Sequence, residues 1–152
     1  MTISTDWMAQ FYGTAPESGT GVSALLATGD EAGWPHIAYL SCGEVLALPP
    51  DRVRLLLWPG SSTARNIAAS GRACLHAAAD GVVWEARLSA VGEAATEGSF
   101  MIEMEVIETI RHRAPYARVE AMIGFALSDP GQTIARWRDQ LARLRAFEAT
   151  RT

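Results

Sequence analysis

Lysine is absent from all 152 residues. Lysine Schiff-base chemistry is therefore excluded, and any phosphate the chain binds must be held by arginine, hydroxyls or backbone N–H groups. Cysteine is scarce: Cys42 and Cys74 stand far apart without C-x-x-C spacing, the pattern expected of reduced thiols in a cytoplasmic protein rather than of a disulfide framework. No apolar run approaches the roughly 18 residues needed to span a bilayer. Residues 1–12 lack a basic stretch followed by an apolar one, so no signal peptide or membrane association is expected. G-x-G-x-x-G, P-loop, H-E-x-x-H and G-x-S-x-G patterns are all missing. The three histidines, His36, His76 and His112, show no metal-ligand spacing in sequence, and no metal site is expected.

What is present is an ordinary globular composition, 49% hydrophobic and 20% charged, with a mean hydropathy of +0.06. The length suits one domain over residues 1–152. The net charge of −4 argues against a nucleic-acid partner. Charge is unevenly spread, with eight arginines against fifteen acids through residue 130 and five against two beyond it. The arginines of the last segment flank an apolar stripe and read first as a solvated helix face. Arg111-His112-Arg113 and Arg118, around Pro115, read either as a charged turn or as an anion contact near a site mouth.

Periodicity orders the elements. Residues 1–20 form an N-terminal helix and linker: Ser4-Thr5-Asp6 caps a short amphipathic helix carrying Trp7, Met8, Phe11 and Tyr12. Strands follow at Val22–Thr28 and Pro35–Ser41, around Gly29–Gly33, and at Glu44–Leu48 and Arg52–Trp58, around Pro49-Pro50-Asp51. A short helix opens at Ser61 and stops at Gly71. Arg72–Ala78 and Val82–Val91 form a hairpin on Asp80-Gly81. Met101–Ile110 reads as a strand, although its Glu and Met content also suits a helix, and Arg118–Leu127 reads as its partner. The C-terminal helix spans 130–149, with Asp129 as cap, Pro130 in the first position and a stripe of Ile134, Trp137, Leu141, Leu144 and Phe147. Hairpin-linked strands with peripheral helices imply a mainly β fold, an antiparallel barrel with helices outside it.

The stretch Arg52-Val-Arg-Leu-Leu-Leu-Trp-Pro-Gly-Ser-Ser-Thr-Ala-Arg-Asn66 carries the chemical signal. An apolar strand ends at Trp58, a Pro-Gly turn follows, and Ser61, Ser62 and Thr63 open a helix. Free N–H groups, hydroxyls and the helix dipole suit a phosphate, with Arg65 and Arg72 as nearby cations. Leu57 and Trp58 offer apolar surface for a flat ring. Each piece also has a plain reading: Ser-Ser-Thr as a helix cap, Trp58 as core, Asn66 as a buried polar brace.

The ordered set Gly33-Trp-Pro-His-Ile37, Val53 to Ile67 and Gly71-Arg-Ala-Cys-Leu75 resembles the pyridoxamine 5′-phosphate oxidase-like, FMN-binding split-barrel family. It is most similar to short bacterial members with a stretch like Arg113-Ala-Pro-Tyr-Ala-Arg118 and a terminal Trp-containing helix, and the resemblance spans roughly residues 20 to 147. It implies an antiparallel split barrel, a homodimer with FMN between subunits, and an oxidoreductase passing electrons from a nicotinamide-type donor to a small acceptor. The alternatives are a non-catalytic carrier or sensor of FMN, and a deazaflavin- or haem-binding relative. By the same resemblance Leu57 and Trp58 face the ring, with His36 beside it. Ser61, Ser62 and Thr63 face the phosphate and Asn66 braces the loop; many members carry a lysine where Thr63 stands, and here Arg65, Arg72 or an arginine of a partner chain has to supply that charge. No counterpart of the pyridoxal-phosphate substrate residues is found, so pyridoxamine-phosphate oxidation is not implied.

Overall fold

The computed structural model describes residues 4–96, 98–148 and 150–151. Seven strands form one antiparallel sheet: β1 (Ser23–Gly29), β2 (Pro35–Ser41), β3 (Val45–Leu48), β4 (Arg52–Leu57), β5 (Arg72–Ala79), β6 (Val82–Thr96) and β7 (Ser99–His112). Their spatial order is β2-β1-β5-β6-β7-β4-β3, and a two-residue β8 (Thr150–Arg151) pairs with β6. The sheet curls into a split barrel, with β2 and β3 as its two ends. Helix α1 (Ser62–Ser70) follows β4, and α2 (Pro130–Ala146) closes the chain.

Period-two alternation builds the interior. On β1, Ala24, Leu26 and Thr28 are buried between half-buried neighbours, and Leu40, Leu55, Leu75, Ala86, Leu88, Met104 and Val106 complete the same core. The outer face is dressed differently along its length. Leu46, Leu56 and Met101 point outward and are covered by Leu141, Leu144 and Phe147 of α2. Asp129 caps that helix, its Oδ1 accepting from the Gln132 N–H at 3.1 Å. Gly43 is required beneath it, because a Cβ there would overlap the Trp137 ring. Arg54 ties the far end of α2 down: its Nε donates to Glu103 Oε1 at 2.8 Å and its Nη1 to the Leu144 carbonyl at 2.8 Å. That places a cation at a helix C-terminus, where the dipole favours it.

Two expectations are corrected. Residues 118–127 form no strand. The expected partner, β7, pairs instead with β6 along its length and with β4 over Phe100–Glu105. The segment runs as a loop whose Val119 N–H donates to the Gly81 carbonyl at 2.8 Å. The N-terminal helix is 3₁₀ rather than α, over Asp6–Phe11, and Met8 leaves helical geometry within it. So short a segment cannot offset α-helix nucleation; burial of Trp7, Met8 and Phe11 decides its shape instead, with Trp7 stacked on Trp84 at 5.6 Å. Strands β6 and β7 also run longer than expected, through two register shifts at Arg87/Leu88 and Ala90/Gly92. Both cysteines are free, Cys42 buried and Cys74 half-buried. Among the described residues no helix is long and apolar enough to cross a membrane. Of the expected N- and C-terminal segments, residues 1–3 and 149 lie outside the described residues.

Candidate functional site

The chain leaves β4 at Trp58, turns through Pro59 and Gly60 (φ +70°), and enters α1. Ser61 is the N-cap, its Oγ accepting from the Ala64 N–H at 3.2 Å. The N–H groups of Ser62 and Thr63 belong to the first helical turn, where no intrahelical acceptor exists. Gly71, at φ +68°, ends the helix and hands the chain to β5. Asn66 is buried on the inner side of α1, and its Nδ2 donates to Thr28 Oγ1 at 3.0 Å, bracing helix against strand. Arg65 folds back over the helix start, donating to the Gly60 carbonyl and to Ser62 Oγ.

Facing α1 is the β1–β2 turn. Asp30 organises it, one carboxylate oxygen accepting the Ala32 and Trp34 N–H groups at 2.9 and 2.8 Å. Between turn and helix lies a cleft of about 580 Å3 lined by His36, Ser62, Arg65, Asn66 and Ser70, with Asp30 and Glu31 on its rim. It adjoins a larger groove of about 890 Å3 through the shared Gly29, Asp30 and Ser70. Arg72, Cys74 and Arg87 line that groove, with Ala27, Pro35 and Ile107 as its apolar wall. Together they run from a helix start to the outer sheet face, where Ile37 and Tyr39 of β2 are 43% and 66% exposed.

The structure thus gathers His36, Ser62, Arg65 and Asn66 on one cleft and sets Arg72 in the next. It does not bring all the expected residues there. Leu57 points into the barrel core, because β4 lies between β3 and β7 with that row of side chains inward, and it forms no ring wall. Thr63 is buried at 3% exposure and Ser61 is spent on the cap. Trp58 is neither core nor cleft wall: it stands 76% exposed at the strand end. The apolar surface expected of Leu57 and Trp58 is offered instead by the groove beside β1 and β5.

A second group was missed in the sequence. Half-buried Glu85 accepts His112 Nε2 at 2.9 Å and lies 3.5 Å from His76 Nε2, while its other oxygen meets Arg87 Nε at 3.4 Å. The hydrogen bond from His112 holds the Glu85 carboxyl below the usual range, with His76 and Arg87 adding to it against burial. Burial, then the Glu85 carboxylate, pushes the neighbouring Cys74 thiol up, so it is no activated nucleophile. The signal for half of this group was readable: a two-residue turn at Asp80-Gly81 sets His76 opposite Glu85. His112 reaches Glu85 diagonally across a register-shifted pair of strands, and no spacing announces that. Among the described residues no group of three or more His, Cys, Asp or Glu is arranged to hold a metal ion.

The donor set fits a phosphorylated flat ligand. At the start of α1 the Arg65 guanidinium, the Ser62 hydroxyl and the first-turn N–H groups suit a phosphate, and the combined clefts are of cofactor size. Ser70 and Arg72 stand at the other end of the helix, with Ser70 Oγ donating to the Asn66 carbonyl. The carboxylates lining the two spaces are Asp30, engaged by its own turn, Glu31, and Glu108, paired with Arg87.

No family model matches the sequence. The curated Bacillus subtilis (strain 168) protein YclD, described as uncharacterized, is 28% identical over 126 residues, covering 80% of this chain and 81% of its own. Among solved structures, a Shewanella frigidimarina NCIMB 400 protein described as a flavin reductase with a split barrel domain superposes with a TM-score of 0.54 at 13% identity, over 84% of this chain and 93% of its own. A Lactobacillus delbrueckii protein described as a pyridoxamine 5′-phosphate oxidase does so at 0.53 and 17% identity, over 72% and 93%. At such identities the likeness establishes the fold alone: this chain has the split-barrel fold of those structures.

Proposed function

We propose that this protein is a flavin-dependent oxidoreductase that holds FMN in the cleft beside α1 and along the adjoining groove, between two copies of the chain, and moves electrons from a nicotinamide-type donor to a small acceptor. The observation that carries this reading is the junction of a phosphate-competent helix start, bearing Ser62, Arg65 and Asn66, with a groove of about 890 Å3 opening on an uncovered apolar sheet face. The described split-barrel flavin reductase shares the fold that presents these elements.

The residues divide the work. Arg65 and Ser62, with the first-turn N–H groups, take the phosphate, and Arg72 adds charge from the strand below. Asn66 keeps α1 at fixed height over β1 through Thr28. Gly29 and Gly33 present no side chain to the space around them, leaving room for a ring close to the backbone. The flavin, when bound, supplies the two-electron chemistry; the protein positions it and excludes water. A second copy closing over Ile37 and Tyr39 roofs the groove, an arrangement that buries apolar surface now exposed.

The test is flavin titration of the purified protein, read by quenching of flavin fluorescence and by the visible spectrum. FMN is expected to bind, and Arg65→Glu to weaken it at least tenfold while changing riboflavin, which lacks the phosphate, far less. FMN fluorescence unaffected by the protein overturns the reading; a Soret band with added haem and no flavin binding replaces it with a haem site. Bleaching of the bound flavin by a nicotinamide donor separates an enzyme from a carrier.

A further inference from the structure

At the opposite end of the β5–β6 hairpin lies a second polar cleft, which the flavin reading does not use. Asp80 lies six positions along the chain from Cys74, about 20 Å at roughly 3.3 Å per residue. The hairpin turn, with Asp80 at φ 55° and Gly81 at φ 80°, forms the floor. The 113–119 loop lies across it: Val119 N–H donates to the Gly81 carbonyl, and the Arg118 side chain packs so closely over Gly81 that a Cβ there would meet its Cγ at 3.0 Å. The resulting cleft, about 560 Å3, is lined by Arg111, Arg113 and Arg118 together with Asp80, Trp84 and the 92%-exposed Tyr116.

None of the three guanidinium groups forms an ion pair among the described residues, and Arg111 lies over the Trp84 ring at 5.9 Å. The arginines that form ion pairs among the described residues are Arg52, Arg54, Arg87 and Arg138. Three unpaired arginines at one cleft, with Asp80 as the sole carboxylate lining it, repel one another unless an anion joins them, and each is built for bidentate phosphate contact. The cleft continues past Asp80, Trp84 and Arg111 into a second space of about 630 Å3, walled by Trp7, with Asp6 and Ser4 at its edge. Two polar atoms in that wall, Trp7 Nε1 and Thr109 Oγ1, are buried without a hydrogen-bond partner. Such orphaned groups are costly when left unsatisfied.

We infer that these joined clefts bind a nucleotide, its phosphates on Arg111, Arg113 and Arg118 and its nucleoside in the space beside Trp7 and Trp84. In the arginine-lined cleft three cations face one carboxylate, Asp80, a surplus of two charges that matches a diphosphate better than a monoanion. The aromatic walls and exposed Tyr116 offer surface to a base, and the Asp6 and Asp80 carboxylates can accept from ribose hydroxyls. Nothing here depends on a flavin.

Calorimetric titration of the whole protein with ADP, and separately with inorganic pyrophosphate, tests this. ADP is expected to bind more tightly than pyrophosphate. The double variant Arg113→Gln/Arg118→Gln should weaken both at least tenfold, and Tyr116→Ala, at a fully exposed position, should weaken ADP while leaving pyrophosphate unchanged. Arg65→Gln, in the cleft beside α1, should leave ADP affinity intact. No ADP binding at millimolar concentration, equal affinity for ADP and pyrophosphate, indifference to the double variant, or loss through Arg65→Gln each overturns the inference. Failure of FMN to bind leaves all of these measurements unaltered in meaning.

Discussion

The outer face of the sheet has two ends, and they are finished differently. At the β3–β4–β7 end, Leu46, Leu56 and Met101 point outward and α2 lies over them with Leu141, Leu144 and Phe147. At the β2–β1 end, Ile37 and Tyr39 point outward just as plainly, with Trp34 beside them at 72% exposure, and no element of the described chain covers them. Both ends are apolar, so composition does not distinguish them. The difference is that one end carries its cover in the chain and the other is left bare by the described residues. The candidate flavin groove opens at the uncovered end, where Ala27 and Pro35 are part of its wall. On the proposed reading, a second copy completes the site and covers these aromatic side chains.

The covered end should give the largest response to substitution. Leu144 is fully buried on the face of α2 turned to the sheet. Leu144→Ala is expected to cost about 2–5 kcal/mol, through lost apolar burial and the cavity left behind, read as a lower urea midpoint. The oligomeric state at matched concentration should not change, because the helix covers its own chain. A shift of less than about 0.5 kcal/mol would mean that α2 is not a structural cover, and the contrast between the two ends would collapse.

The uncovered end should respond in the opposite sense. Ile37→Arg with Tyr39→Arg changes exposed positions, so the stability of the isolated chain should move by no more than about 0.5 kcal/mol. Association should be lost, because two charges per copy would be buried unpaired. Sedimentation of wild type and variant at equal concentration reads the first effect, and FMN titration reads its consequence for the groove. Wild type that stays monomeric at high concentration, or a variant that still dimerises, removes the second copy from the site.

The same contrast explains what could be read from sequence. Turn signals bounded β1, β2 and β5, alternation marked much of β6, and the cap, proline and stripe marked α2, because each is a local pattern with a local cause. Residues 118–127 carried a fair strand pattern and formed none; their expected partner β7 pairs with β6 and β4 instead, and strand partners are settled by the whole sheet. The candidate site was legible in part for the same reason. Ser62, Arg65 and Asn66 are neighbours on one short helix, and His36 joins them across a turn. Leu57 and Trp58 are adjacent in sequence yet diverge, one to the core and one to solvent, since the end of a strand does not announce which way its last side chains point. Arg54 as anchor of the α2 terminus was invisible, being a contact across 90 residues.

Between the two ends lies the charged middle of the face, and it should give the smallest effect. Glu85 is ionised more readily in the fold than its ordinary carboxyl value of 4.5, chiefly through the His112 hydrogen bond. A lowered native value means the unfolded chain takes up the proton first on acidification, so the stabilisation is full above the ordinary value. It declines as pH falls below that value, and it is gone once pH passes below the native one. Glu85→Gln removes this contribution at every pH. Its stability should therefore sit below wild type at neutral pH, by about 1 kcal/mol or less for a group that still touches solvent, and the two curves should converge in acid. Urea unfolding across the acid limb reads the difference. Parallel curves, with a constant gap down to the lowest pH, would show that His76, His112 and Arg87 do not act on Glu85 as ionised partners, and that the middle of the face is held by packing, like the end beneath α2.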